Sequence, residues 1–549
     1  MDGDYVWLND YSRTFLERDY LRPGQTIDER VDELCNTAQR ILTIPGFAAR
    51  FKENLKKGWY SLSTPVWTNF GTSRGLPISC FGSHIEDDMA SILTTVAEVG
   101  MMSKVGGGTS AYFGELRGRG APIKNNGEST GPVHFMQLFD NLVGVVSQGK
   151  TRRGNFAAYL DIDHPDIMEF LGIRSEGNQL QDISFGVCVP DYWMAQMVGG
   201  DAEKRKVWAR VLEARANTGF PYIIFTDTAN KAKPEVYVNE GMDITHSNLC
   251  VEIMLPDNKD ESFVCCLSSM NLLHYDAWKD TDAVELLTFF LDAVMTDFID
   301  KSEDIPYLYR ARRFAENHRA LGLGVLGWHS YLQQNMIPFE SLQAKFKNAE
   351  VFKHLQQKTN DASKKLAEMF GEPALLQGYG RRNTTLMAIA PTKSSSFIFG
   401  QVSEGIEPHR ANFYIKDAAK GKFSIQNQHL KKLLAEKGQD TDQVWQSIAQ
   451  RSGSVQHLSF LSDHEKAVFK TFCEITPREI IIQAAQRQKF LDQSQSLNLM
   501  IHPSVPIKDV NALIIEAWRL GVKSLYYQIS VNAAQEFARN ILSCTSCEG

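Results

Sequence analysis

Apolar positions recur at helical spacing from Ile27 through Val31, Leu34, Ala38, Ile41 and Leu42, which predicts a helical lead-in at the N-terminus. Similar periodicity predicts helices near 89–104, 133–146, 203–217, 284–300, 349–369 and 476–490. Between them stand short apolar, strand-like runs: FAAYL (156–160), SFGVCV (184–189), PYIIF (221–225), LGLGVLG (321–327), TTLMAIA (384–390), LNLMI (497–501) and SLYYQI (524–529). Strands alternating with helices predict an α/β fold, and periodicity alone leaves barrel and open sheet undecided. Gly-rich and polar clusters at 71–77, 114–131 and 172–182 read as long loops, which on such a scaffold hold ligands or simply move. The last residues, ILSCTSCEG (541–549), are small and polar and read as a flexible tail.

Composition narrows the function classes. With 549 residues, 43% hydrophobic and 22% charged, the chain can bury a substantial core. A formal charge of −7 gives no basic footprint for nucleic acid, and there is no Lys/Arg run to hold an anionic membrane. The first residues are charged throughout, without a basic segment followed by an apolar one, so no secretory signal is expected, and no apolar run reaches bilayer length. Nine cysteines (35, 80, 188, 250, 265, 266, 473, 544 and 547) in such a chain point to reduced thiols rather than a disulfide scaffold.

One motif misleads. Residues 144–151, GVVSQGKT, match the P-loop formula, but a P-loop needs a strand feeding a Gly-rich turn and then a helix N-terminus. Here a helical pattern precedes the motif and a loop then a strand follow it, which argues against a nucleoside triphosphatase and leaves a basic loop near a nucleotide.

The thiol-bearing segments carry more. In SNLCVEI, Asn248, Cys250 and Glu252 stand at alternate positions, so an extended segment would point amide, thiol and carboxylate to one face. That set suits a polyhydroxylated substrate, the carboxylate accepting a hydroxyl proton while the amide orients the hydroxyl; an exposed strand edge fits the spacing equally well. Cys265 and Cys266 are adjacent, so on a strand only one can share a site with Cys250. Cys80, in GLPISCFG after a Gly-rich loop, could approach from another strand. Cys35, Cys188, Cys266 and Cys473 read as small buried hydrophobes.

Cys544 and Cys547 form a C-x-x-C on the tail, and with no second half-site for zinc a dithiol shuttle is the better reading. The turn Pro391, Thr392, Lys393, Ser394, Ser395, Ser396 could hold phosphate or merely cap a helix. Tyr526 and Tyr527, on a strand, would ordinarily be one core and one surface residue.

Taken in order, a first redox cysteine, N-L-C-x-E, a second redox cysteine, a phosphate turn, a tyrosine pair and a C-terminal dithiol, the chain resembles the large catalytic subunit of class I ribonucleotide reductases. The resemblance runs from about Thr64 to Cys547 and takes in RALGLGVLG (319–327) and GIEP (405–408). It implies a short helical N-terminal region (1–75), a ten-stranded α/β barrel of two antiparallel five-stranded halves (76–540) and a redox-active tail (541–549). It implies reduction of ribonucleoside diphosphates to deoxyribonucleoside diphosphates for DNA replication. Cys250 would carry a transient thiyl radical that takes the substrate's 3′ hydrogen, with Asn248 and Glu252 handling the 3′-hydroxyl. Cys80 and Cys265 would supply two electrons and be re-reduced by Cys544 and Cys547.

The same resemblance assigns substrate phosphate to Thr64, Ser79, Pro391, Thr392, Lys393, Ser394 and Ser395, and radical transfer to Tyr526 and Tyr527 from a separate, metal-bearing small subunit. Asp87 would contact a dNTP or ATP effector, and loops near 148–154 and 174–182 would report its identity. No covalently bound cofactor and no metal in this chain are implied. The implied partners are the small subunit, a thioredoxin- or glutaredoxin-type reductant and a second copy in a homodimer, in the cytoplasm, or the host cytoplasm for a phage-encoded chain.

Some features depart from longer family members. Only 79 residues precede Cys80, too few for an ATP-cone plus a full helical domain, so control through a cone is not expected. Asp88 and Met89 stand where Ser and Leu are common. The tail spacing resembles the class Ib branch, and such compactness also occurs in phage versions, so the subclass stays open. Two other readings remain: a nucleotide-binding homologue without catalysis, and a cobalamin-dependent reductase, which has no need of the tyrosine pair.

Overall fold

The computed structural model describes residues 4–148, 154–399, 402–418 and 421–530. The N-terminal region folds as three helices, Asp10–Asp19, Ile27–Leu42 and Phe47–Lys56. The second starts on a reciprocal cap between Thr26 and Glu29 and buries Ile27, Val31, Leu34, Ala38 and Leu42 on one face, so the apolar spacing has become a packed stripe. The predicted helices are observed as Met89–Lys104, Pro132–Val145, Ala202–Thr218, Ala283–Ser302, Leu342–Phe370 and Pro477–Gln488.

The main sheet has nine strands: β1 (Tyr60–Leu62), β2 (Cys80–His84), β3 (Gly108–Tyr112), β4 (Phe156–Asp161), β5 (Ser184–Val189), β6 (Tyr222–Phe225), β7 (Phe263–Asn271), β8 (Leu321–Leu326) and β9 (Ser524–Leu525). Strands β2 to β6 run parallel in that order, each joined to the next through helical crossovers. Strand β7 then enters antiparallel to β2 and parallel to β8. Its nine residues are all buried. Both β1 and β2 pair with it, β1 along its C-terminal part and β2 along its N-terminal part, so one buried strand aligns residues 60–62 with residues 80–82.

The ten-stranded expectation is met in part. One half is a run of five parallel strands, but the second is less regular among the described residues. TTLMAIA joins β8 only through an isolated bridge at Met387, and Ile389 bridges to Gln495. LNLMI is ordered as the pair Leu499–Met500 against Gln528–Ile529, and SLYYQI is broken at Tyr526 and Tyr527. Residues 411–470 add a unit that periodicity did not reveal: a hairpin (Phe413–Ala418, Gly421–Gln426) and helices with their own small core around Leu430, Trp445, Ile448 and Phe469. The main core is otherwise continuous from Tyr5 to Ile529. Among the described residues, no helix is long and apolar enough to cross a membrane.

Candidate active site

The antiparallel register sets Cys80 directly opposite Cys265. Facing residues in such a pair lie with Cα atoms about 4.5–5.5 Å apart, within the range of about 4.4–6.8 Å that a disulfide spans. Cys266 points the other way, its thiol donating to the Leu291 carbonyl at 3.4 Å. Strand alternation therefore selects which neighbour can face Cys80. Burial pushes the Cys265 thiol well above its usual range, while Gln493 Nε2 donates to its sulfur at 3.6 Å. Gly322 on β8 keeps room for that sulfur: a Cβ there would sit 3.1 Å from Cys265 Sγ and 2.3 Å from Leu267 Cδ2.

The segment SNLCVEI is not a strand. Between Asn248 and Glu252 the chain turns at Val251, whose φ is +61°. The turn sends Asn248 and Glu252 to one centre and Cys250 away from it, a division that a flat strand face does not make. Asn248 Nδ2 donates to Cys80 Sγ at 3.0 Å, and the Cys80 thiol faces Glu252 Oε1 at 4.0 Å. Burial raises Glu252 to about 7, opposed by hydrogen bonds from its own amide, Asn248 and Ser496. Cys250 looks to the other side, where Tyr526 Oη donates to its sulfur at 3.6 Å.

Tyr526 stacks on Tyr527 with ring centroids 4.2 Å apart and planes tilted by 50°. Tyr222 packs against both, at 4.8 Å and 5.2 Å. The break in the strand lets both rings lie on one path instead of alternating between core and surface. Arg215, fully buried, holds the break through Nη1, which donates to the Tyr526 carbonyl at 3.0 Å. The amide of Tyr527 donates to Asn498 Oδ1 at 3.1 Å, and Asn498 Nδ2 in turn bonds Glu407 of the GIEP run.

The hydroxyl-rich elements gather beside this centre. Thr64 opens the helix Thr64–Asn69 directly after β1, and Ser79 Oγ donates to Ser63 Oγ at 3.4 Å. Ser395 Oγ donates to the Leu62 carbonyl at 3.4 Å, which brings the turn at 391–396 to the same place. That turn leads into the helix Lys393–Ile398, with Thr392 in the left-handed region at φ +56° and its hydroxyl taken by Gly405 N at 2.7 Å. Ser394 and Ser395 are buried. The arrangement offers hydroxyls and helix-start amides to an anion one strand away from three thiols.

Asp87 is not part of this cluster. It lies beyond the far end of β2 from Cys80, where its carboxylate accepts from Arg117 Nε at 2.7 Å and Arg117 N at 3.2 Å. The neighbouring Asp88 caps the helix Met89–Lys104 by accepting from Ala90 N and Ser91 N, a role that Ser would fill as well. Gly144 lies inside the helix Pro132–Val145, so the P-loop lookalike lacks the strand that a phosphate cradle requires. Residues 149–153 of the first loop, and the pair Cys544 and Cys547, lie outside the described residues.

The sequence reading missed Ser496 and Gln493. Ser496 Oγ donates to the Cys250 carbonyl at 2.6 Å and to Glu252 Oε2 at 3.4 Å. The available signal was Gln493, Ser494, Gln495 and Ser496, four consecutive polar residues, all buried, ahead of an apolar run. Polar residues so placed are there to satisfy neighbours.

The family profile described as "Ribonucleotide reductase, barrel domain" matches residues 78–204, 195–376 and 373–528. The ribonucleoside-diphosphate reductase large subunit of Invertebrate iridescent virus 3 is 34% identical over 590 residues, covering 91% of this chain and 92% of that one. The Caenorhabditis elegans large subunit is 28% identical, covering 97% of this chain and 79% of its own. Among solved structures, the Actinobacillus ureae class Id ribonucleotide reductase alpha subunit superposes with a TM-score of 0.92 at 54% identity, covering 99% of this chain and 100% of that one.

Proposed function

This chain belongs to the ribonucleotide reductase family as a ribonucleoside-diphosphate reductase large subunit, and on that premise we propose how its residues divide the work. Tyr527 and Tyr526 pass an oxidising equivalent from a separate small subunit to Cys250. The Cys250 thiyl takes the 3′ hydrogen of a ribonucleoside diphosphate whose phosphates rest on Thr64, Ser79 and the turn formed by Pro391, Thr392, Lys393, Ser394 and Ser395. Glu252 accepts the 3′-hydroxyl proton, and Asn248 orients that hydroxyl. The 2′-hydroxyl leaves as water. Cys80 and Cys265 provide the two electrons and two protons this requires and close into a disulfide, Glu252 returns its proton to the 3′ oxygen, and Cys250 returns the hydrogen to the 3′ carbon. Exchange with Cys544 and Cys547, recharged by a thioredoxin- or glutaredoxin-type dithiol, reopens the disulfide.

The observation that carries this reading is the contact of Tyr526 Oη with Cys250 Sγ at 3.6 Å, beside the opposed pair Cys80 and Cys265. A cobalamin-dependent enzyme would have no need of a tyrosine pair stacked onto its radical cysteine. Likeness to a class Id alpha subunit at 54% identity favours a class Id-type small subunit over the class Ib branch that the tail spacing suggests. The bridges at Met387, Ile389 and Gln495 are the positions that would complete a second five-stranded half of the barrel. Asp87, paired with Arg117, would hold the effector.

The test is CDP reduction with a class Id-type small subunit, with and without dNTP effectors. Cys250→Ala and Cys250→Ser should bind nucleotide and make no product; turnover by either overturns the assignment.

A further inference from the structure

The tyrosine stack has a neighbour that the reductase chemistry leaves without a role. Phe220 packs edge-on against Tyr527 with ring centroids 5.0 Å apart, and against Tyr222 at 5.0 Å. Over the Phe220 ring lies the guanidinium of Arg174, 4.6 Å from the centroid, where the negative face of the ring attracts a cation. Arg174 belongs to the loop 174–183 and not to the strands beside the tyrosines. Its Nη1 donates to the Ile183 carbonyl at 2.9 Å and its amide to the Leu180 carbonyl at 3.0 Å, from a backbone held at φ +64°. The end of this loop is docked on the helix Pro132–Val145, where Asp140 Oδ1 accepts from Asp182 N at 3.2 Å and Ile183 N at 3.1 Å. A non-glycine residue in the left-handed region persists only where its surroundings fix it, and this loop fixes Arg174 with its side chain on Phe220.

Loop closure alone does not account for that guanidinium. Its Nη2 is buried without a hydrogen-bond partner among the described residues. Burial pulls Arg174 below its usual range, and the phenols of Tyr527 and Tyr222 oppose this more than the two carboxylates that face it, Asp182 and Asp140. A second guanidinium, Arg215, meets the same ring cluster at the Tyr526 carbonyl, its Nε and Nη2 likewise buried without a partner among the described residues. A cation beside a phenol favours loss of the phenolic proton and opposes a protonated radical cation. Tyr527 is half-buried where Tyr526 is buried. In the relay proposed above, Tyr527 gives an electron to the small subunit's oxidant and its proton to solvent, and Tyr526 restores both as a hydrogen atom. We infer that Arg174 is a positioning residue of this relay: from the loop 174–183 it holds Phe220 against Tyr527 and keeps a positive charge beside it, so that proton and electron leave together and the loop takes part in radical passage.

This rests on the relay reading, so the test is made first without turnover. The full chain, with difluorotyrosine in place of Tyr527, is titrated and the phenol followed by fluorine NMR. Arg174→Met removes the charge and leaves an apolar stem on Phe220. It should raise the proton affinity of that phenol about tenfold, the scale of one half-buried charge a ring away. Arg174→Lys keeps the charge without the planar fork and should cancel most of the shift, whereas mere loosening of the loop would affect both variants alike. With a class Id-type small subunit and the natural Tyr527, Arg174→Met should lower kcat for CDP about tenfold at unchanged KM, and Arg174→Lys should recover most of it. A phenol indifferent to Arg174→Met, equal shifts in the two variants, or an unchanged kcat overturns the proposal. Full activity of Tyr527→Phe would overturn the relay itself, and with it the part of Arg174 in catalysis, even where the phenol shifts as expected.

Discussion

Replacing Glu252 by Gln separates what its carboxylate costs from what it does. Burial lifts Glu252 from the ordinary value of 4.5 to about 7. At about 1.4 kcal/mol per tenfold change in proton affinity, that difference corresponds to about 3 kcal/mol. The folded chain holds this proton more tightly than the unfolded chain does. The resulting stabilisation is therefore complete below pH 4.5 and is lost as pH rises through about 7. Glutamine keeps the shape and the polar contacts without titrating. Urea unfolding of wild type and E252Q across this range should diverge, the variant gaining up to about 3 kcal/mol relative to wild type at alkaline pH. Activity should move oppositely: wild-type kcat/KM for CDP rises through about 7 as the base ionises, while E252Q falls by about 10²–10⁴-fold. A stability difference that stays flat with pH, or a wild-type rate indifferent to pH through that window, refutes the reasoning.

Under anaerobic conditions without external reductant, wild type should lose two titratable thiols per deoxynucleotide formed. Cys265→Ser should abolish that loss and, once a dithiol is supplied, sustained turnover as well, whereas Cys266→Ser, on the opposite face of β7, should retain both. Tyr527→Phe should eliminate product with any small subunit; full activity with adenosylcobalamin and no second protein would contradict the relay. Ser496→Ala strips the donor from the Cys250 carbonyl, a loss of about 1–3 kcal/mol in unfolding assays. Because the Ser496 hydroxyl also lowers the Glu252 value, the same variant should shift the rising limb of the pH–rate profile to more alkaline pH.

Long periodic segments were readable because burial imposes a repeat over many residues: Ile27–Leu42 and Ala283–Ser302 stand where the apolar spacing puts them. The strand-like runs were readable as apolar but not as paired, since pairing depends on partners far away in sequence. TTLMAIA has a strand's composition, yet it is held by bridges and by Asp492, whose oxygens accept from Leu386 N at 2.7 Å and Met387 N at 2.9 Å. The choice of Cys265 over Cys266 was not legible from composition, because it rests on the register between β2 and β7. Nothing local in QSQS (493–496) announces that its hydroxyls and amides serve the Cys250 turn.

That turn shows why alternate spacing was the wrong rule for the residues that matter most. A β-branched residue at positive φ costs about 1–3 kcal/mol, and such a conformation persists only where surroundings over-determine it. Around Val251 they do. Tyr159 Oη donates to the Asn248 carbonyl, Ser496 Oγ to that of Cys250 at 2.6 Å, Ser524 Oγ to that of Val251 at 2.8 Å and Ser494 N to that of Glu252 at 2.9 Å. Ser247 Oγ donates to the Ile253 carbonyl at 2.7 Å, and Gln493 Oε1 accepts from Met254 N at 3.0 Å. The donors come from β4, from the polar run at 493–496 and from β9, so the backbone is satisfied without any ladder. A ladder would have sent Asn248, Cys250 and Glu252 the same way. The kinked turn instead directs Asn248 and Glu252 toward Cys80 and Cys250 toward Tyr526, so one short segment faces a reductant on one side and a radical source on the other.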